Sequence, residues 1–477
     1  MCGIVGIFSE HRVAGALYES LINLQHRGQD AAGIVTCQKR LEITQGLGLI
    51  REIFDKDKLV AMEGNIGIGH TRYPTAGGYS LSDVQPIWMR EPLGIALAHN
   101  GNLVNYKALY QQLKHKNLVS STDSELLLHL LSDGLCEGSL SFEKICQAVG
   151  TIYEKAQGSY SVVSVIAGHG LLAFRDPHGI KPLVMGKKNN DIIFASETTM
   201  FYPLGFESLG DVQPGEVVFV DLQGNCFRKI LAHKPFRPCI FEYVYLAKPN
   251  ATLDGVSVYA SRVRMGQSLA KSWQIKFQDI KPDVVIPVPY TSNTAALSFA
   301  EALGVRYCEG LHNNTFIGRT FIMPDGEDRG KNIRRKLTPH RVEIKDKSVL
   351  VLDDSIVRGT TSRNIVKMLR EHGAKEVSFA SACAPIIEPC FYGIDIPVRS
   401  ELLAAEKTEE EIRQYLGVDR LIYQDREKLA EAILGDSASP IKRFCMACMD
   451  GDYITGGMTQ QKKTALEIER HTLLEAQ

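Results

Sequence analysis

No run of apolar residues in this chain approaches the ~20 needed to span a bilayer, and the first residues lack the charged stretch that opens a secretory signal. An excess of one charge is also missing: 54 Lys and Arg face 55 Asp and Glu, a net charge of -1. That balance excludes binding to nucleic acid by counterion release, and there is no acidic tail. A disulfide framework is excluded too. Eleven cysteines are an odd number in a long chain without a secretory signal, so reduced, cytoplasmic thiols are expected, as nucleophile, metal ligands or core filler. What remains is an ordinary globular protein of 477 residues, long enough for roughly two to four domains.

The chain opens Met1-Cys2-Gly3-Ile4-Val5-Gly6-Ile7-Phe8. A small second residue lets the initiator methionine be removed, which would give Cys2 a free α-amino group. An α-amine titrates near pH ~8 and a free thiol near ~8.5, so one residue would supply both nucleophile and base. Taken alone, an early cysteine in an apolar strand is equally a small buried residue.

Two halves follow different patterns. Through about residue 230 the chain reads as strands and hairpins with a few helices. Leu17, Leu21 and Leu24 recur at helical spacing before a turn at 25–30. Thr122 with Glu125 has a capping-box spacing, which predicts a helix with Asp123 in its first turn. Gly168-His169-Gly170 and Asn189-Asn190 each divide a pair of apolar runs, predicting hairpins, and Asn100-Gly101 is the strongest local hairpin signal of all. From about Pro235 the order becomes strand, loop, helix, strand: 284–288, a helix ending near Gly304, 348–352, a helix running to Gly373, then 377–382. Such alternation predicts a parallel sheet with ligands at the carboxyl ends of its strands. A polar helix is expected from about Gln460.

The string Val349-Leu350-Val351-Leu352-Asp353-Asp354-Ser355-Ile356-Val357-Arg358-Gly359-Thr360-Thr361-Ser362 delivers two carboxylates at the end of a hydrophobic strand. A loop of hydroxyls and glycine then opens a helix, whose free N–H groups make an anion site. No Gly-Lys-Ser/Thr follows, so it is not a Walker loop. Paired acids beside a phosphate cradle suit a sugar phosphate with Mg²⁺. Four further cysteines, Cys239, Cys390 and the pair in Cys445-Met446-Ala447-Cys448, have spacing that by itself would suggest zinc.

The string resembles the phosphoribosyl diphosphate (PRPP) signature of type I phosphoribosyltransferases. Together with Cys2-Gly3-Ile4-Val5-Gly6 it resembles the glutamine phosphoribosylpyrophosphate amidotransferase family, in its iron–sulfur-bearing branch, from Cys2 to about Gly456. The resemblance implies an α+β N-terminal-nucleophile (αββα) glutaminase domain at 2–230, fused to an α/β type I phosphoribosyltransferase domain at 240–456. A helical tail at 457–477 would follow. It implies glutamine-dependent conversion of PRPP to 5-phosphoribosylamine, glutamate and pyrophosphate, the first committed step of purine synthesis. Cys2 would be the nucleophile, with Asn100 and Gly101 receiving the oxyanion. Arg72, in Gly69-His70-Thr71-Arg72-Tyr73-Pro74-Thr75, would pair with the substrate carboxylate, Asp123 with its α-ammonium, and Arg27 would lie near the nucleophile. Asp353, Asp354, Ser355, Val357, Arg358, Gly359, Thr360 and Thr361 would bind PRPP, with Ser292, Asp353 and Asp354 on Mg²⁺. Residues from Gly318-Arg319-Thr320-Phe321-Ile322 through Arg334-Arg335-Lys336 resemble a loop that closes over PRPP. Cys239, Cys390, Cys445 and Cys448 would hold a structural [4Fe–4S] cluster rather than zinc. Purine nucleotides would be feedback inhibitors, and the chain would form a homo-oligomer, a tetramer by resemblance.

The chain departs from the family pattern at three places. Only Met1 precedes the cysteine, where cluster-bearing relatives carry a short propeptide. Tyr290 stands where an acid is expected, and Asn313-Asn314-Thr315-Phe316 replaces the usual context before Gly-Arg-Thr-Phe. Two rivals are a different N-terminal-cysteine amidotransferase, of the glucosamine-phosphate or asparagine synthetase type, and a catalytically inactive PRPP-sensing paralogue.

Overall fold

The protein, a computed structural model, is described at residues 2–73, 80–136, 138–278, 280–315 and 336–475, with side chains as far as Ile468. Its first half packs two antiparallel sheets face to face. One runs Glu207–Asp211, Val184–Lys188, Asp191–Ala195, Gly3–Phe8, Ile66–Arg72, Ala31–Cys37, Leu41–Leu47. The other runs Cys226–Ile230, Glu216–Asp221, Gly170–Arg175, Gly158–Ile166, Ile95–Leu103, Ile87–Met89.

Alternation decides the layering. In Gly3–Phe8, Val5 and Ile7 meet Leu17 and Leu21 of helix Ala14–Leu24, while Ile4 and Phe8 meet Ala98, Val163 and Leu171 of the facing sheet. Both faces of the strand are covered, which is why its sequence is almost wholly apolar. Beyond the second sheet, Leu127 and Leu131 of helix Asp123–Leu135 join Ile145, Val149 and Ile152 of helix Phe142–Lys155 against Leu97, Val162 and Phe174. Each fully buried aliphatic side chain contributes ~1.5–3 kcal/mol of transfer free energy. The result is four layers, αββα.

The expected capping box is not formed at Asp123–Leu135. Thr122 makes no side-chain cap, and the Glu125 carboxylate instead accepts the Val119 and Ser120 N–H groups at 2.9 and 2.7 Å. The preceding loop folds back over the helix start and reaches the carboxylate first.

The second half is a parallel sheet in the order Arg306–Tyr307, Val284–Pro287, Ser348–Asp353, Glu376–Ser381, Arg420–Tyr423. Helices Val258–Phe277, Asn293–Leu303 and Arg426–Leu434 cover one face; Thr360–Glu371 and Glu409–Leu416 cover the other. The expected strands, hairpins at 168–170 and 189–190, and terminal helix (Gln460–Glu475) are all formed. The core beneath the first sheet continues without a break through Ile240, Tyr243 and Trp273 into the second half.

Candidate active sites

The N-terminal strand brings Cys2 to the mouth of a narrow cleft lined also by Arg72, Tyr73, Gln85, His99, Gly101, Thr122 and Asp123. Cys2 N–H donates to Asn100 Oδ1 at 3.4 Å, and its thiol lies 3.7 Å from the Tyr73 carbonyl. Thr71 Oγ1 accepts the Gly3 N–H and Ser196 Oγ the Ile4 N–H, which fixes the strand start on both sides. The Asn100 Nδ2 amide is buried and has no partner among the described residues. An unpaired buried donor costs about 1–3 kcal/mol, so this amide, beside the Cys2 thiol, is available to an incoming acceptor.

Asn100 and Gly101 do not form the expected turn. Both lie inside strand Ile95–Leu103, opposite Ser161 and Tyr160. The local signal is overridden by pairing with Gly158–Ile166, and the glycine is needed for close approach: a Cβ there would meet the Ser159 carbonyl at 1.9 Å. Asp123 Oδ2 accepts the Leu103 N–H at 2.9 Å, and Oδ1 lies 3.5 Å from His99 Nδ1. Burial would raise the Asp123 carboxyl, but His99 and the Leu103 N–H outweigh it and hold it below the usual range. Four of the expected residues, Cys2, Arg72, Gly101 and Asp123, thus line one cleft with Asn100 behind them.

Arg27 is placed elsewhere. Its fully buried guanidinium binds Glu197 and, at 2.8 Å, Glu242, and Glu197 also meets His26 at 2.7 Å. Its Cβ lies close to Gly3, beside Cys2, while its guanidinium pairs with acids at the junction between the two halves. Pro74 and Thr75 lie outside the described residues.

In the second half, strand Ser348–Asp353 ends at the two acids. Asp353 Oδ1 accepts the Asp354 N–H at 2.9 Å, and Asp354 accepts from Ser355 Oγ at 3.0 Å and from Thr291 Oγ1. Burial raises both carboxyls; the facing charge of Asp354 adds to the rise at Asp353. Helix Thr360–Glu371 begins at Gly359, whose φ of 74° is left-handed, with Ser355 through Thr361 forming the loop before and into its first turn. Val357 is half-buried against the core and its carbonyl accepts the Leu403 N–H at 3.0 Å; Arg358 turns outward to Glu401 at 2.5 Å. Ser292 donates into its own turn, to the Val288 carbonyl. Among the described residues the hydroxyl that donates to Asp354 from this loop is that of Thr291, the neighbour of Ser292. Tyr290 O–H donates to the Asn313 carbonyl at 3.4 Å, linking its loop to strand Leu311–Asn313. Phe316 and the stretch from Gly318 through Arg335 lie outside the described residues.

A family model for a glutamine amidotransferase domain matches residues 75–203. The chain is 44% identical to the amidophosphoribosyltransferase of Pasteurella multocida over 99% of its own length and 96% of the relative's. It is 43% identical to that of Escherichia coli (96% and 94%) and 42% to that of Saccharomyces cerevisiae (96% and 93%). The chain belongs to the amidophosphoribosyltransferase family. A solved glutamine PRPP amidotransferase from B. subtilis, complexed with ADP and GMP, superposes with a TM-score of 0.86 at 36% identity, over 97% of this chain and 100% of that one. A second structure, described as the allosteric regulatory enzyme of purine biosynthesis, gives 0.87 at 36% identity, over 98% and 99%.

As an amidophosphoribosyltransferase the chain is an enzyme with glutamine amidotransferase and pentosyltransferase activities, acting at the start of purine synthesis. The αββα layers and the parallel sheet are its glutaminase and phosphoribosyltransferase folds. The family's four expected thiols share one neighbourhood: all are buried, Cys239 pairs with Cys445 in a parallel bridge, and Cys448 feels the charges of Cys390, Cys239 and Cys445. Burial pushes the Cys239 thiol up to about 12. Among the described residues no three His, Cys, Asp or Glu side chains converge as a single metal ion requires. The structure adds Gln85, His99 and Thr291 to the site residues that the sequence marks. His99 directly precedes Asn100-Gly101, but Gln85 and Thr291 carry no local signal and reach their sites only through loops.

Proposed function

We propose that the two sites divide the amidophosphoribosyltransferase reaction as follows. Cys2 attacks the glutamine side-chain amide, its own α-amine taking the thiol proton once Met1 is removed. Gly101 N–H and the unpaired Asn100 amide receive the oxyanion, and Asn100 Oδ1, held by the Cys2 nitrogen, aims that amide. Arg72 takes the α-carboxylate and Asp123 the α-ammonium. Collapse of the adduct leaves a thioester and ammonia; water then releases glutamate. Ammonia must cross unprotonated, since ammonium has no lone pair, and displaces pyrophosphate from C1 of PRPP.

At the second site the start of helix Thr360–Glu371 takes the 5′-phosphate through its free N–H groups, and Asp353 and Asp354 take the ribose hydroxyls. Two adjacent buried carboxylates, each disfavouring ionisation, suit a divalent cation. Asp353 and Asp354 with Ser292 would hold Mg²⁺ there, and the ion would supply neutralisation of the pyrophosphate charge. Cys239, Cys390, Cys445 and Cys448, buried in one neighbourhood, would hold the [4Fe–4S] cluster that the family resemblance implies. The cluster's role would be structural, tying residues 445–448 to the junction. Iron and acid-labile sulfide in the purified protein, with zinc below stoichiometry, is the expected assay result. Domain limits of 2–230 and 240–456 with a tail at 457–477, a cytoplasmic location, purine nucleotides as feedback inhibitors and a tetramer complete the reading. The ADP and GMP of the B. subtilis complex support the third of these.

The observation that carries it is the joint presence of the Cys2 cleft and the Asp353–Asp354 strand end in one continuous fold. The test is release of glutamate and pyrophosphate from glutamine, Mg²⁺ and PRPP by anaerobically purified protein. Stoichiometric release of both is expected; neither product from folded protein would restore the PRPP-sensor reading. Cys2→Ala should abolish glutamine hydrolysis and spare synthesis from ammonia, and loss of both would contradict separate sites.

A further inference from the structure

His99 lines the glutaminase cleft, is 2% exposed, and has no part in the chemistry above. Its Nδ1 lies 3.5 Å from Asp123 Oδ1 and 3.2 Å from Ser124 Oγ, and its Nε2 lies 3.4 Å from the Ser159 carbonyl. Its backbone N–H donates to Gln85 Oε1 at 2.7 Å, which holds the residue in place from the cleft's opposite wall. The ring also underlies the oxyanion glycine, since a Cβ on Gly101 would stand 2.7 Å from Nε2. One buried imidazole therefore touches Asp123 on one side and Gly101 on the other. Asp123 is flanked at both oxygens: Oδ2 accepts the Leu103 N–H and Oδ1 lies 3.5 Å from this ring. A carboxylate that must meet an ammonium at a set distance from an oxyanion donor needs such support, because displacement by an ångström forfeits much of a charge-assisted bond.

We infer that His99 is a positioning residue for glutamine: it holds the Asp123 carboxylate and backs Gly101, and so sets the span between the substrate's α-ammonium and its reacting amide. The inference rests on the glutaminase reading of the cleft and assigns it the residue that governs recognition of the α-amino group.

The test compares kcat/KM for hydrolysis of glutamine with that for its analogue lacking the α-amino group. The ratio of the two reports the grip of Asp123 and is insensitive to a uniform loss of activity. His99→Gln keeps an amide near the Nε2 place and removes Nδ1; His99→Asn keeps a group near Nδ1. We expect His99→Gln to lower the ratio roughly ten-fold and His99→Asn to restore most of it. Synthesis from ammonia, read in parallel, reports the folded second site. A wild-type ratio in His99→Gln, or an equal loss on both substrates that His99→Asn does not rescue, overturns the inference. If His99→Gln also loses synthesis from ammonia, and so reports misfolding, Ser124→Ala decides, because it removes the ring's other Nδ1 partner. A ratio lowered at least about three-fold supports the role and an unchanged one overturns it. Glutamine hydrolysis that survives Cys2→Ala would instead overturn the reading of the cleft, and the inference with it.

Discussion

Half-buried Asp211 meets buried Asp254 beside Arg175, and Asp211 Oδ1 accepts the Asp254 N–H at 2.9 Å. Burial first, then the facing Asp254 charge, pushes Asp211 up to about 7, with Arg175 opposing. The folded state then binds the proton more tightly than the unfolded chain. Stability is fully present below the ordinary carboxyl range and is lost as pH rises through about 7. Asp211→Asn keeps the oxygen that accepts the Asp254 N–H and removes the titration. Melting temperatures across pH 4–8 should show the variant gaining on the parent as pH rises, by on the order of 2–4 kcal/mol at the top of the range. A constant difference across the range would contradict the assignment. Single residues of this kind leave no mark in the sequence: an aspartate that directly follows Gly210 reads as an ordinary turn residue.

Elements place the residues of the two proposed sites at their ends. Cys2 precedes a strand, Arg72 ends one, Asp353 ends another, and Asp123 and Thr360 begin helices. Free N–H groups and side chains are available there because no further ladder or helix bond uses them. The periodicities that mark such elements are local, so the strands, the helices and the strand–loop–helix at 348–371 are legible in the sequence. The exceptions are Asn100-Gly101 and Thr122…Glu125, where a favourable local motif yields to a partner from elsewhere. Gly359 is the sharpest element-scale test. Its φ is 74°, and a Cβ there would meet Leu403 Cδ2 at 2.5 Å. Gly359→Ala should distort the start of helix Thr360–Glu371 and raise KM for PRPP roughly ten-fold, a loss of about 1.4 kcal/mol of binding. Glutamine hydrolysis measured without PRPP should be unaffected, and an unchanged KM would remove Gly359 from the phosphate cradle.

At the scale of the molecule the two halves are locked by buried charge. Arg175, from a strand of the first half, binds Asp254 of the second through Nη1 at 2.7 Å and Nη2 at 3.1 Å, and caps the carbonyls of Gly179, Lys181 and Val212. Arg27 does the same to Glu242. The loop after Cys390 seals the contact: Asn102 Nδ2 donates to the Phe391 carbonyl at 3.0 Å and Ser159 Oγ to the Tyr392 carbonyl at 2.9 Å. Arg175→Met would leave Asp254 buried without its cation, at a cost of about 3–5 kcal/mol. Denaturant unfolding should report that loss, and a variant within about 1 kcal/mol of the parent would show that the pair does not hold the halves together.

By itself the sequence determined the two-part architecture, the strand that follows Cys2 and the paired acids at a strand end, because apolar periodicity and contiguous motifs are properties of neighbouring residues. Only the tertiary structure decided which acids Arg27 meets, which hydroxyl meets Asp354, where Asn100-Gly101 lies and that His99 stands between Asp123 and Gly101. Each of these depends on groups far apart in the chain, Arg27 and Glu242 being separated by 215 positions. Which distant group arrives first at a buried charge is settled by packing and by the cost of leaving that charge unpaired, and neither is written in any local stretch of residues.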